Sequence, residues 1–112
     1  MGERETPELL PGTLYMMILG SLRQGPLHGY AIARHIKDWS RGDLQIEEGS
    51  LYPALNRMLI KGWLKAEWGT TDNNRRARFY RLTREGRRQL EKESSDFDRL
   101  VRAIQLVMRP AK

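Results

Sequence analysis

Asn56 and Arg57 stand together in the run Glu48-Gly-Ser-Leu-Tyr-Pro-Ala-Leu-Asn-Arg-Met-Leu-Ile-Lys-Gly-Trp63, and Arg75, Arg76 and Arg78 crowd the stretch that follows. A carboxamide offers a donor and an acceptor side by side, and a guanidinium offers a planar fork of donors. These are the groups that pair with adenine and guanine edges in a major groove. Clustered arginines suit phosphates, which attract cations whatever the base sequence. Other chemistries find no residues to carry them. The chain has no cysteine, no glycine-rich phosphate loop, no metal-ligand cluster and no paired nucleophile and base. Catalysis, a metal site and a cofactor are therefore not expected.

The elements that must position these groups follow from periodicity and punctuation. Thr13 is expected to cap a first helix carrying Leu14, Met17, Ile18 and Leu22, ended by Gln24-Gly25-Pro26. A second helix starts near His28, with Ile32, Ala33, Ile36 and Trp39 on one side, and Ser40 to Asp43 form a turn. Leu44-Gln45-Ile46 reads as a short strand. Ser50 is expected to cap the third helix, with Pro53 tolerated in its first turn and Gly62 stopping it.

Advancing about 100° per residue along that helix groups Leu51, Leu55, Met58, Leu59 and Gly62 as the buried stripe. Ser50, Pro53, Asn56, Arg57 and Ile60 then face outward, with Lys61 at one margin and Tyr52 at the other. Residues 63 to 68 alternate, with Leu64, Ala66 and Trp68 on one face and Lys65 and Glu67 on the other, and Arg78 to Leu82 mirror them. A hairpin with a long basic tip results. Two short helices, a helix displaying Asn and Arg, and a basic hairpin make the order of a helix-turn-helix with a wing.

Charge supports the same reading. The formal net charge is +6, but residues 1–49 carry five Lys/Arg against seven Asp/Glu, whereas residues 50–82 carry seven against two. The positive excess peaks where phosphates would be met. The amino end is polar and lacks a signal peptide's apolar core, and no apolar run reaches membrane-spanning length, so no membrane association and a cytoplasmic location are expected. At 112 residues there is room for one domain.

Four segments resemble the PadR family of bacterial transcriptional regulators: Leu10-Pro-Gly-Thr-Leu14, Pro26-Leu-His-Gly-Tyr-Ala-Ile32, Gly49-Ser-Leu-Tyr-Pro-Ala-Leu-Asn-Arg57 and Arg78-Phe-Tyr-Arg-Leu-Thr-Arg-Glu-Gly86. Together they span about residues 9–90. The resemblance implies a dimeric winged-helix repressor on an inverted-repeat operator, often of detoxification or transport genes. It also implies that Tyr52 and the start of the third helix approach the DNA backbone and that His28, Gly29 and Tyr30 mark the entry to the second helix. His28 itself reads as a helix-start or packing residue. Some small family members hold flat aromatic compounds between tryptophans at the dimer centre. Here Trp39, Trp63 and Trp68 all precede the last helix, and the resemblance does not extend to that pocket.

Thr83 is expected to cap a last helix reaching Met108. Leu90, Phe97 and Ile104 recur every seven residues, accompanied by Leu100 and Val107 and flanked by Val101 and Met108, which is a coiled-coil type of seam. The expected organisation is a flexible amino end (1–8), a mainly α winged-helix DNA-binding domain with a small β-hairpin (9–82), a dimerisation helix (83–108) and a tail (109–112). The expected DNA-binding set is Ser50, Tyr52, Pro53, Asn56, Arg57, Lys61, Lys65, Arg75, Arg76 and Arg78. The expected partners are double-stranded DNA and a second copy of the chain, with the seam the natural place for a small-molecule effector. The rival reading is a winged helix that binds a protein through Tyr52, Pro53 and Ile60.

Overall fold

The computed structural model describes residues 12–110; the expected flexible amino end lies outside them, as do Leu10 and Pro11 of the first motif. The chain runs α1 (Thr13–Ser21), β1 (Leu27–His28), α2 (Gly29–Trp39), α3 (Glu48–Ile60), β2 (Leu64–Thr70), β3 (Arg76–Leu82) and α4 (Arg84–Met108). The strands form one antiparallel sheet in the order β1-β3-β2. The fold is mainly helical, with a winged helix-turn-helix arrangement.

The helix ends have local causes, and two of the starts differ from the sequence expectation. Thr13 is the first helical residue rather than the cap; Gly12 precedes it at φ 87°, where a residue without Cβ is at ease. His28 caps α2, its Nδ1 accepting from the Ala31 amide at 3.3 Å. Ser50 lies inside α3, which starts two residues earlier behind Glu47. Pro53 consequently falls in the second turn, where its missing N–H would have met the Gly49 carbonyl. Gly62, at φ 81°, ends the helix as expected.

Leu44 and Ile46 form no strand. They are half-buried and pack on the core from an irregular connection. The short strand is β1 instead, paired Leu27↔Tyr80 and His28↔Phe79. Two residues carry too little alternation to be read without their partner strand.

The core is built from Ile18, Leu19 and Leu22 of α1, Ile32 and Ile36 of α2, Leu51, Ala54, Leu55 and Met58 of α3, the wing base residues Leu64, Tyr80 and Leu82, and Leu90 of α4. Ser21 is the buried polar residue among them, and its hydroxyl donates to the Met17 carbonyl at 2.8 Å. Trp39, expected on the buried side of α2, is 80% exposed. It sits in the last turn, beyond the reach of the core, and stacks on His35 instead.

α4 is fastened to the end of α3 through Thr83. The Thr83 hydroxyl accepts from the Gly86 amide at 2.9 Å and donates to the Gly62 carbonyl at 2.6 Å, while the Thr83 amide donates to the Trp63 carbonyl at 3.0 Å. Gly86 approaches so closely that a Cβ there would lie 2.0 Å from the Trp63 carbonyl oxygen. Farther along, Leu90 is 6% exposed and belongs to its own chain's core, so the apolar stripe left open begins later, at Phe97. Phe97, Leu100, Ile104, Val107 and Met108 are exposed, and Val101 is half-buried.

Candidate nucleic-acid interface

α3 owes its place to the burial of Leu51, Ala54, Leu55 and Met58, which forces the opposite face outward. Pro53, Asn56 and Ile60 form that outward row and are exposed, Ile60 by 85%. Arg57 does not point with Asn56. One residue is about 100° of helix rotation, and Arg57 turns toward α1, where its Nε donates to the Tyr15 hydroxyl at 2.5 Å. Its guanidinium carbon lies 5.7 Å from the Tyr15 ring centre. Lys61 lies along the same edge, its ammonium 5.2 Å from the centre of Trp63, and Tyr15 and Trp63 meet edge to face at 5.8 Å. Ser50 shares that edge, at helical spacing from Arg57 and Lys61.

Tyr52 occupies the other margin, facing α2 and the wing. A Cβ on Gly29 would come within 2.6 Å of its hydroxyl and 2.8 Å of two ring carbons, so glycine leaves the notch that the ring fills. Burial pushes the phenol's pKa above 10.0, and the Glu48 carboxylate and Tyr80 push it the same way. The hydroxyl is therefore neutral and able to donate to an anion at any physiological pH.

In the wing, strand register decides which cations share a surface. The pairs Leu64↔Leu82, Ala66↔Tyr80, Trp68↔Arg78 and Thr70↔Arg76 occupy one face. At the base this face joins the core; farther out it passes the core's edge, and Trp68 becomes 62% exposed. Arg76 lies over Trp68, 4.7 Å from the ring centre, and Arg78 lies 6.0 Å from the centre of Tyr80. The tip is shorter than expected because both strands extend farther. Residues 71–75 close it through a Thr71 amide to Arg75 carbonyl bond of 2.8 Å, with the Thr71 hydroxyl accepting from the Arg75 amide.

Lys65 falls on the opposite face, beside Arg81, which pairs with Glu67 at 3.5 Å. The structure thus brings Arg75, Arg76 and Arg78 together and sets Lys65 apart. Between α2, Tyr52 and the wing lies an open groove of about 1130 Å³. The three arginines and Tyr52 border it, as do Tyr30, Arg34, His35, Trp39 and Trp68, which sequence periodicity does not place there. The spacing of His35 and Trp39, four apart on a helix, is the one signal of it in the sequence. Periodicity alone assigns both Trp39 and Trp68 to buried faces.

Among the described residues no group of three or more His, Cys, Asp or Glu could hold a metal, and no helix is long and apolar enough to cross a membrane.

The model of the transcriptional regulator PadR-like family matches residues 18–92. A transcriptional regulator from Clostridium thermocellum is 26% identical, with a TM-score of 0.79 over 88% of this chain and 95% of that one. A PadR family transcriptional regulator from Eggerthella lenta is 30% identical, with a TM-score of 0.75 over 89% of this chain and 85% of that one. The fold also resembles Bacillus subtilis PadR in complex with operator DNA, at 21% identity and a TM-score of 0.64, covering 92% of this chain and 50% of that one.

Proposed function

The chain belongs to the PadR-like family of transcriptional regulators, and from that membership we propose that it acts in the cytoplasm as a homodimeric, sequence-specific repressor of an inverted-repeat operator. The observation that carries the reading is the convergence of Tyr52, Arg75, Arg76 and Arg78 on one groove beside the outward row of α3. α3 enters the major groove, where Asn56 reads a base edge, and the wing arginines and the neutral Tyr52 hydroxyl hold phosphates of the adjoining backbone. The same fold, in Bacillus subtilis PadR, is bound to operator DNA.

Arg57 contributes through the terminal nitrogens that its Nε bond to Tyr15 leaves unused. Ser50 and Lys61 support the phosphates on that edge. Lys65, on the outer face of the wing, adds long-range attraction to the DNA rather than contact in the groove.

Dimerisation supplies the second half-site. Phe97, Leu100, Ile104, Val107 and Met108 leave an apolar stripe open along α4, and a second copy covering it would space two recognition helices roughly 34 Å apart, one turn of DNA. The test is fluorescence anisotropy on duplex fragments selected from the source genome, run across a salt series. Binding that weakens linearly in log salt, and an Arg76→Glu variant that binds every sequence less tightly with a shallower slope, support the reading. No binding at low salt would favour the protein-docking rival through Ile60, Pro53 and Tyr52.

A further inference from the structure

The cations of the proposed DNA surface are held differently from the other cations of the chain. Among the described residues, four cations lie over aromatic rings: Arg57 over Tyr15 at 5.7 Å, Lys61 over Trp63 at 5.2 Å, Arg76 over Trp68 at 4.7 Å and Arg78 over Tyr80 at 6.0 Å, each measured to the ring centre. All four belong to the proposed DNA surface. The ion pairs fall elsewhere. Arg34, Arg81, Arg88, Lys92 and Arg99 each lie within 3.7 Å of a carboxylate oxygen, and no cation held by a ring is among them.

The two kinds of partner leave a cation in different states. A carboxylate orients a guanidinium and also cancels its charge, so a phosphate must displace the acid before it gains the attraction. A ring attracts through its quadrupole and carries no net charge. It can occupy the face of a guanidinium and leave the in-plane N–H donors to a phosphate. A side chain already restricted by a ring also loses less rotamer freedom when it binds.

Sheet register and helix spacing build these pairs. Trp68 is opposite Arg78 and Thr70 opposite Arg76, so Trp68 and Arg76 are diagonal neighbours on one face of the wing, within reach of two long side chains. Arg78 and Tyr80 stand two apart on β3 and share that face. At the other edge, Arg57 and Lys61 are one helical turn apart against Tyr15 and Trp63, which meet edge to face. Glu67, the acid within the wing strands, takes Arg81 on the opposite face and leaves Arg76 and Arg78 to their rings.

We propose that Tyr15, Trp63, Trp68 and Tyr80 are positioning residues of the DNA surface, whose rings hold Arg57, Lys61, Arg76 and Arg78 ready for phosphates without neutralising them. The role rests on the function proposed above. The rings act through the cations and have no need to touch the DNA. Trp68 is the ring to test, because it is 62% exposed and outside the core, whereas Tyr80 is 4% exposed and part of it.

Fluorescence anisotropy of the full chain on a labelled random-sequence duplex at low salt measures the effect. Trp68→Ala is expected to bind about two- to fivefold more weakly, and Trp68→Phe to recover most of the loss. The slope of log affinity against log salt should stay that of the parent, because Arg76 keeps its charge; Arg76→Glu, by contrast, flattens it. With Arg76→Ala already present, Trp68→Ala should cost nothing more. Tyr15→Phe gives a second cycle that keeps the ring and removes only the hydroxyl that accepts from Arg57 Nε. It should cost about threefold, and nothing once Arg57→Ala is present.

A Trp68→Ala loss of equal size with and without Arg76 would make the indole itself the contact and overturn the proposal, as would parent-like binding by both Trp68→Ala and Tyr15→Phe. Proton NMR of the DNA-free chain reads the stacking alone. The Arg76 side-chain protons should be shifted upfield by the Trp68 ring and lose that shift in Trp68→Ala; no shift in the parent overturns the wing pair. A parent chain that binds no duplex refutes the proposed function, whereas a parent that binds with its ring variants binding alike refutes the positioning role alone.

Discussion

Gly86→Ala is expected to loosen the joint between the end of α3 and α4, and the size of the effect can be worked from distances. The new Cβ would lie 2.0 Å from the Trp63 carbonyl oxygen, 3.0 Å from its carbon and 3.3 Å from Leu82 Cδ2. Ordinary contact lies near 3.5 Å, so backbone must part by roughly 1.5 Å. The two nearest atoms are main chain, and no side-chain rotation relieves them. Overpacking of this kind costs about 1–3 kcal/mol. The displaced amide also donates to Thr83 Oγ1 at 2.9 Å, and losing that cap adds about 1 kcal/mol. Alanine's better helix propensity returns up to about 1 kcal/mol. The net is about 1–3 kcal/mol, a fall in melting temperature of roughly 5–20 °C for a chain of this size.

The assay is thermal unfolding by far-ultraviolet circular dichroism, with parent and variant at one protomer concentration because dimerisation would shift the midpoint. Thr83→Ala is the control that removes the cap without the clash, and it should lose roughly 4–8 °C. A Gly86→Ala protein that melts with the parent, or above it, refutes the close approach of Gly86 to the Trp63 carbonyl.

Four further outcomes are expected. Asn56→Ala should weaken the selected operator by about 1–3 kcal/mol and random duplex far less; equal losses in anisotropy would remove Asn56 from base reading. Gly29→Ala should push Tyr52 out of its notch, lowering DNA affinity with little change in melting, and the loss should vanish when Tyr52→Ala is already present, as a double-mutant cycle would show. Ile104→Glu should place a charge on the open stripe of α4 and yield a monomer in analytical ultracentrifugation with an unchanged wing. Because burial raises the Tyr52 pKa above 10.0 in the folded state, the native chain holds that proton after the unfolded chain has released it. Tyr52 therefore contributes stability that is full below pH 10.0 and lost as pH rises through the folded value. Denaturant midpoints of the parent should fall more steeply there than those of Tyr52→Phe.

The helical faces were legible because they depend on local repetition. Leu51, Leu55 and Met58 repeat at helical spacing, and burial of that stripe leaves Asn56 outward whatever the neighbours are. Thr83 could be read as a cap from its own hydroxyl and the helical pattern beyond it. The Arg75-Arg76-Ala-Arg78 cluster marked the wing's charge without reference to any contact.

What the sequence could not decide depended on partners distant along the chain. Lys65 and Arg76 both read as wing cations, and only the register Lys65↔Arg81 and Thr70↔Arg76 puts them on opposite faces. Leu90 keeps heptad spacing with Phe97, yet the core of its own chain takes the first and leaves the second open. Arg57 follows Asn56 directly, but Tyr15, on another helix, draws it aside. Trp39 and Trp68 have the composition of core residues and lie where the core has ended. Periodicity states which side chains share a face; how far along that face burial continues is set by the length and placement of the elements packed against it, and that is a tertiary quantity.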